Sequence, residues 1–187
     1  MKLTNKVGLK GQYFIRIKRN GKYIKLWQEN WLGDFLFQNF RLQLHIPFIL
    51  GSYQEQYATP NLVVTAGLAE LAKLAINTGT PTAFSYIAVG TDGTAAAAGQ
   101  TALVAEITDS GLARATGTKS VVQTTVAGDT SQLLKEFSVT GIKAIKEVGV
   151  LNAASAGTML SRSVITTKNV GSGDTIEIKY KLVHANA

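Results

Sequence analysis

The hydrophobic pattern of this chain changes period several times, and each change marks an element. In residues 12–19, Tyr13, Ile15 and Ile17 take one face and Phe14, Arg16 and Lys18 the other. Asn20-Gly21 follows, then the alternating run Lys22-Tyr23-Ile24-Lys25-Leu26-Trp27. Asn-Gly between two such runs predicts a hairpin, because a type I′ turn needs positive φ at both central residues. One face of that pair is buried and the other keeps its lysines in water. From Phe40 the even positions are apolar as far as Leu50, with Arg41, Gln43 and His45 between them. That period predicts a strand with one buried face, and Pro47 argues for an edge or a break within it. The preceding residues, 31–37, fit either a strand or a short helix.

The period becomes helical after Thr65. Leu68, Leu71, Ala72 and Ala75 share one helical face, with Glu70 and Lys73 outside it. Thr65 is placed to cap the N-terminus, and Asn77-Thr78-Gly79 to end the helix. Beyond Pro81 the chain reads as strands at 84–89, 102–107, 112–126, 131–140, 144–151, 159–167 and 175–184. Gly- and Asp-bearing turns separate them at 90–93, 127–129, 141 and 171–174. This succession predicts a mainly β chain, an antiparallel β-sandwich of jelly-roll-like form with one short α-helix near residues 66–77. No repeat of 20–50 residues points to a solenoid or propeller. A length of 187 residues suits one domain. Its parts are a basic N-terminal hairpin (8–29), an aromatic-rich insertion (30–60) and the sandwich body (61–187).

Charge sharpens that division. The net charge is +7. Residues 1–60 hold nine Lys/Arg against three acids, whereas 61–187 hold ten against nine. Eleven of the fifteen aromatic residues also lie in 1–60. The chain has no cysteine, which excludes disulfides, thiol catalysis and thiolate metal sites. No stretch approaches the roughly 18–20 apolar residues of a membrane span, and no apolar run follows the N-terminal lysines to make a signal peptide. The expectation is a soluble protein made in a reducing cytoplasm, with no membrane partner.

The usual chemistry is scarce. His45 and His184 are far apart and neither has an acid at ligand spacing, so no metal is expected. Asp92, Asp109, Asp129 and Asp174 sit in turns, where aspartate commonly bonds its own backbone. Gly90-Thr91-Asp92-Gly93 lacks the lysine and the third glycine of a phosphate loop. Glu136 and Glu147 have no second polar group placed beside them, and Ser161-Arg162-Ser163 lacks a nucleophile-elbow context. No catalytic residue and no cofactor are assigned, and the expectation is that the protein is not an enzyme.

Two surfaces remain. Arg16, Lys18, Arg19, Lys22 and Lys25 form a basic face, which suits docking onto an acidic protein better than nucleic acid, since composition signals charge and not partner. Trp27, Trp31, Phe35, Phe37, Phe40, Arg41, Phe48, Tyr53 and Tyr57 are too apolar as a group to lie bare on a monomer. Either they belong to the core or, the reading favoured here, they serve docking or oligomer formation.

An ordered set of segments adds a resemblance. It runs from the basic hairpin 10–26 to Asn61-Leu62-Val63-Val64, then Phe84-Ser85-Tyr86-Ile87-Ala88-Val89-Gly90-Thr91 and Gly111-Leu112-Ala113-Arg114. It continues through Phe137-Ser138-Val139-Thr140-Gly141, Glu147-Val148-Gly149-Val150-Leu151-Asn152 and Gly157-Thr158-Met159-Leu160-Ser161-Arg162. The order resembles small structural proteins of tailed bacterial and archaeal viruses, of the tail-fibre-like or minor structural kind, over residues 8–29 and 61–184. Residues 30–60 depart from it as an insertion. The resemblance implies a β-sandwich assembled as a homo-oligomer, trimer or higher, in a virion put together in the host cytoplasm. Other virion proteins are its partners, and it carries no catalytic residues. Tail or fibre association is the first expectation. Capsid decoration or a head appendage is the second, and a sandwich recognising a host-surface glycan the third.

Overall fold

The computed structural model describes residues 7–40, 45–47, 49 and 51–186. In chain order the elements are β1 (Val7–Arg19), β2 (Lys22–Tyr23), β3 (Leu26–Glu29), α1 (Trp31–Phe40), β4 (Gly51–Gln54), β5 (Tyr57–Pro60), β6 (Leu62–Val63) and α2 (Thr65–Ile76). They continue as β7 (Tyr86–Gly90), β8 (Ala115–Thr116), β9 (Thr118–Val122), β10 (Thr130–Ser138), β11 (Lys143–Leu151), β12 (Met159–Val170) and β13 (Thr175–Asn186). The fold is a mainly β, antiparallel β-sandwich. The first sheet runs β2-β1-β13-β10-β9, with β5 also on β1, and the second runs β6-β12-β11-β7-β8. A two-stranded pair, β3-β4, stands apart and with α1 forms an arm.

Alternation builds the core. Tyr13, Ile15 and Ile17 of β1 and Ile176, Ile178 and Tyr180 of β13 face Ile87, Val89, Val148 and Val150 of the second sheet, all in one cluster. β1 and β13 pair from Val7 opposite Asn186 to Lys18 opposite Thr175, the longest register in the molecule. The second sheet is covered on both faces. Its far side carries Val64, Ala88, Leu103, Leu151 and Met159 as a smaller cluster. Part of the cover is the strap of residues 91–106, anchored by Thr91 N–H to the Ala105 carbonyl (2.9 Å) and Ile107 N–H to the Val89 carbonyl (2.9 Å).

The hairpin turns as expected, with φ of 51° at Asn20 and 75° at Gly21. Its second strand, however, is cut short at Tyr23, and Leu26 and Trp27 join the arm instead. Both are buried in succession, which breaks the alternation needed to stay on β1. Residues 31–40 are helix and not strand, so there are two helices where one was expected. Asn30 starts α1, its Oδ1 accepting from Leu32 N–H (3.1 Å) and Gly33 N–H (3.0 Å). The strand expected from Phe40 to Leu50 falls mostly outside the described residues, and Phe40 itself ends α1.

Four further expectations are corrected. Residues 102–107 are not a strand, because the Val104 and Ala105 N–H groups are taken by the Glu147 carboxylate (3.1 and 2.7 Å). Residues 112–126 split into β8 and β9 around Gly117, where the chain passes from one sheet to the other. Thr65 is the first residue of α2 and not its cap; Val64 caps with no side-chain bond. Glu70 is not on the outer face of α2 but buried, accepting from Thr82 N–H (2.9 Å) and from Lys73 Nζ (3.3 Å). The helix turns that way because Gly67 lets it press against Leu160.

Candidate docking surface

The arm is held from within. Trp27 and Tyr57 are buried, and Trp27 meets the Tyr53 ring edge-on at 5.2 Å and the His45 ring at 4.7 Å. Gly51 is required here, since a Cβ would meet the Gln28 carbonyl and stand 2.8 Å from the Trp27 ring. Beneath the arm Lys168 of β12 donates to the Trp27 carbonyl (3.1 Å) and to Thr166 Oγ1 (2.6 Å). Its ammonium lies 3.6 Å from the centre of the Tyr57 ring, a cation–π contact in a dry setting. Burial pushes the Lys168 ammonium down to about 7, against the pull of the Glu29 carboxylate. The same burial raises the Glu29 carboxyl above its ordinary value, and its Oε1 finds no hydrogen-bond partner among the described residues. Burial likewise pushes the Tyr57 hydroxyl up to about 12.

The outside of the arm is different. Phe35 (50% exposed), Phe40 (62%) and Tyr53 (51%) face solvent, with Ile46 and Ile49 exposed nearby in sequence. The Phe35 and Phe40 rings meet edge-on at 6.0 Å, so this pair is ordered against itself and uncovered. The sequence-derived docking residues thus fall into three groups. Trp27, Phe37 and Tyr57 are interior, Phe35, Phe40 and Tyr53 are exposed, and Arg41, Phe48 and the Trp31 side chain lie outside the described residues.

The basic face is largely answered by the chain itself. Arg19 grips Asp174 with Nε at 2.9 Å and Nη2 at 2.7 Å. Arg16 lies 3.6 Å from Glu177 and 3.6 Å over the Tyr23 ring, and Lys18 lies 3.6 Å from Glu136. Lys22 and Lys25 have no ion-pair partner among the described residues. The register sets Lys179 and Lys181 of β13 beside Phe14 and Gln12 on that same outer face. Lys22 pairs in register with Arg19, on the other parity, so the outer face takes its cations from Arg16 and Lys18 of β1 and from Lys179 and Lys181 of β13.

Elsewhere the polar groups are structural. Among the described residues no three His, Asp or Glu side chains gather to hold a metal. Asp92 accepts from Thr94 N–H (2.6 Å), and Asp129 from the N–H groups of Thr124, Thr125 and Val126. Sequence spacing missed the pair Glu147–Arg162, both fully buried at 2.6 Å. Arg162 also donates to the Thr94 carbonyl (2.9 Å) and Gln100 Oε1 (3.2 Å), so it ties the strap to the sheet. A signal existed: Val148-Gly149-Val150-Leu151 does not alternate, which marks a strand covered on both faces, and a charge set in such a strand needs a partner. Among the described residues no helix is long and apolar enough to cross a membrane. Set beside known proteins, the chain matches no family model, no curated protein and no solved structure.

Proposed function

We propose that this protein is a non-enzymatic structural component of a tailed-virus particle, a homo-oligomeric tail or fibre-associated protein that docks through its first third. The observation that carries the docking is the uncovered pair Phe35 and Phe40 on α1, set on an arm with a buried base. Aromatic side chains presented in a set geometry bury much area at little entropic cost, which is what an assembly contact needs. The ordered segments that resemble tailed-virus structural proteins supply the virion setting. Repetition of the contact around a symmetric oligomer turns weak single contacts into firm attachment. The same surface serves a capsid decoration or head-appendage protein, and immunogold position on particles separates the two. The glycan reading draws less support, since Phe137 and Tyr180 are interior.

The test is the double variant Phe35→Ser/Phe40→Ser, which leaves the Trp27–Tyr53 contact and the buried base intact. Removing residues 30–60 is a poorer test, because it takes β5 from the first sheet. Light scattering is expected to show a trimer or larger for the parent chain and a smaller species for the variant, with incorporation into particles lost. A folded variant that keeps the parent's mass and still enters particles would overturn the reading.

A further inference from the structure

The interior of the sandwich is not filled everywhere. A cavity of about 510 Å3 opens between the sheets beside α2. Its apolar walls are Leu71 and Leu74 of α2, Phe84, and Leu133, Leu160 and Leu182 of the two sheets. The last three belong to the buried core, and across a gap they forfeit the contacts that close packing gives. The size falls in the roughly 300–1,000 Å3 range of small-molecule sites, whose walls are mostly apolar with a few placed polar groups.

The mouth supplies those polar groups, and the one formal charge among them, on Lys119, is positive. Lys119 of β9 and His184 of β13 line it with Ser120, Ser131 and Gln132, and no carboxylate does. His184 is held in place, its Nε2 3.0 Å from Ser131 Oγ and its N–H 2.8 Å from the Asp129 carbonyl. The Asp129 carboxylate is engaged by the N–H groups of its own turn. We propose that this cavity binds a small amphipathic anion, an alkyl carboxylate whose chain lies between the sheets and whose head meets Lys119 and His184. The site is independent of the virion reading and stands or falls without it.

Decanoate is the probe, offered to the full chain, with decanol and decyltrimethylammonium as neutral and cationic counterparts. Binding is followed by displacement of anilinonaphthalene sulfonate and by the midpoint of thermal unfolding. Decanoate is expected to displace the dye and raise the midpoint by several degrees. Decanol should bind about tenfold more weakly and the cation more weakly still. Lys119→Glu should cost about tenfold in decanoate affinity and leave decanol unchanged. Ala83→Trp, at an exposed position lining the cavity, should fill it and remove both ligands while circular dichroism stays that of the parent. Equal binding of anion and cation, or undiminished binding by a folded Ala83→Trp, would sink the proposal. So would dye fluorescence that falls with protein concentration alone, since the occupant would then be a second copy of the chain.

Discussion

Lys168 is a buried cation with no carboxylate in hydrogen-bond contact among the described residues. Its ammonium is enclosed by a carbonyl, a hydroxyl and a ring face, all under the arm. In the unfolded chain it holds its proton up to about 10.5, and in the folded chain up to about 7. Between those values the unfolded state binds more protons, so this group makes stability rise as pH climbs from about 7. Glu29, raised by burial, acts at lower pH with the opposite sign, because there the folded state binds more protons. Tyr57 and Tyr180, pushed up to about 12, oppose the rise once pH passes 10.0. Urea unfolding at pH 7, 8 and 9 should show the parent gaining on the order of 2 kcal/mol relative to Lys168→Met over that interval. Parallel curves for the two would contradict the enclosed ammonium. Nothing local in the sequence announces this residue. Lys168 meets Trp27 and Tyr57 only because β12, β3 and β5 converge, and the partners of Arg162 likewise lie many residues away. Spacing along the chain registers neighbours on one element and is blind to neighbours made by packing.

At the scale of elements, legibility followed how local the cause was. The Asn20-Gly21 turn and the alternation of β10 and β13 were readable, because turn chemistry and period are properties of a few consecutive residues. Helix α1 was not, since Trp31-Leu32-Gly33-Asp34 serves either period and Asn30 decides the matter by capping. Residues 102–107 looked like a strand because Leu103 and Ile107 do face a core; a carboxylate took the N–H groups that a neighbouring strand would have bound. Helix α2 offers the sharpest test of packing against propensity. A Cβ at Gly67 would sit 2.5 Å from the Leu160 carbonyl oxygen and 2.7 Å from its Cα. Alanine favours a helix interior by about 1 kcal/mol over glycine. Pushing a backbone away from a sheet costs typically about 1–3 kcal/mol. Gly67→Ala should therefore lose about 0–2 kcal/mol in urea unfolding; a gain would mean that α2 does not press on β12 as described.

For the whole molecule the uneven charge of the sequence dissolves in space. Acids of the nearly neutral part, Asp174, Glu177 and Glu136, answer the cations of the basic part, because β1 lies beside β13 inside one sheet. The hairpin is thus no appendage, and its Arg16 and Lys18 share a face with Lys179 and Lys181. The arm is the part that stands outside this arrangement, with its own strand pair and helix. Amide hydrogen exchange should show that: β1, β13, β11 and β12 slowest, and β3, α1 and β4 opening earlier as a unit. Uniform protection across arm and sheets would argue against a separable arm. The pairing of β1 with β13 also has a consequence for the chain on the ribosome. At roughly 5–20 residues per second, β1 emerges about 8–30 s before the strand that will lie along it. For that interval β1 can pair with β2 and β5 but lacks the partner of its longest register. The first sheet therefore closes late, when β13 enters between β1 and β10.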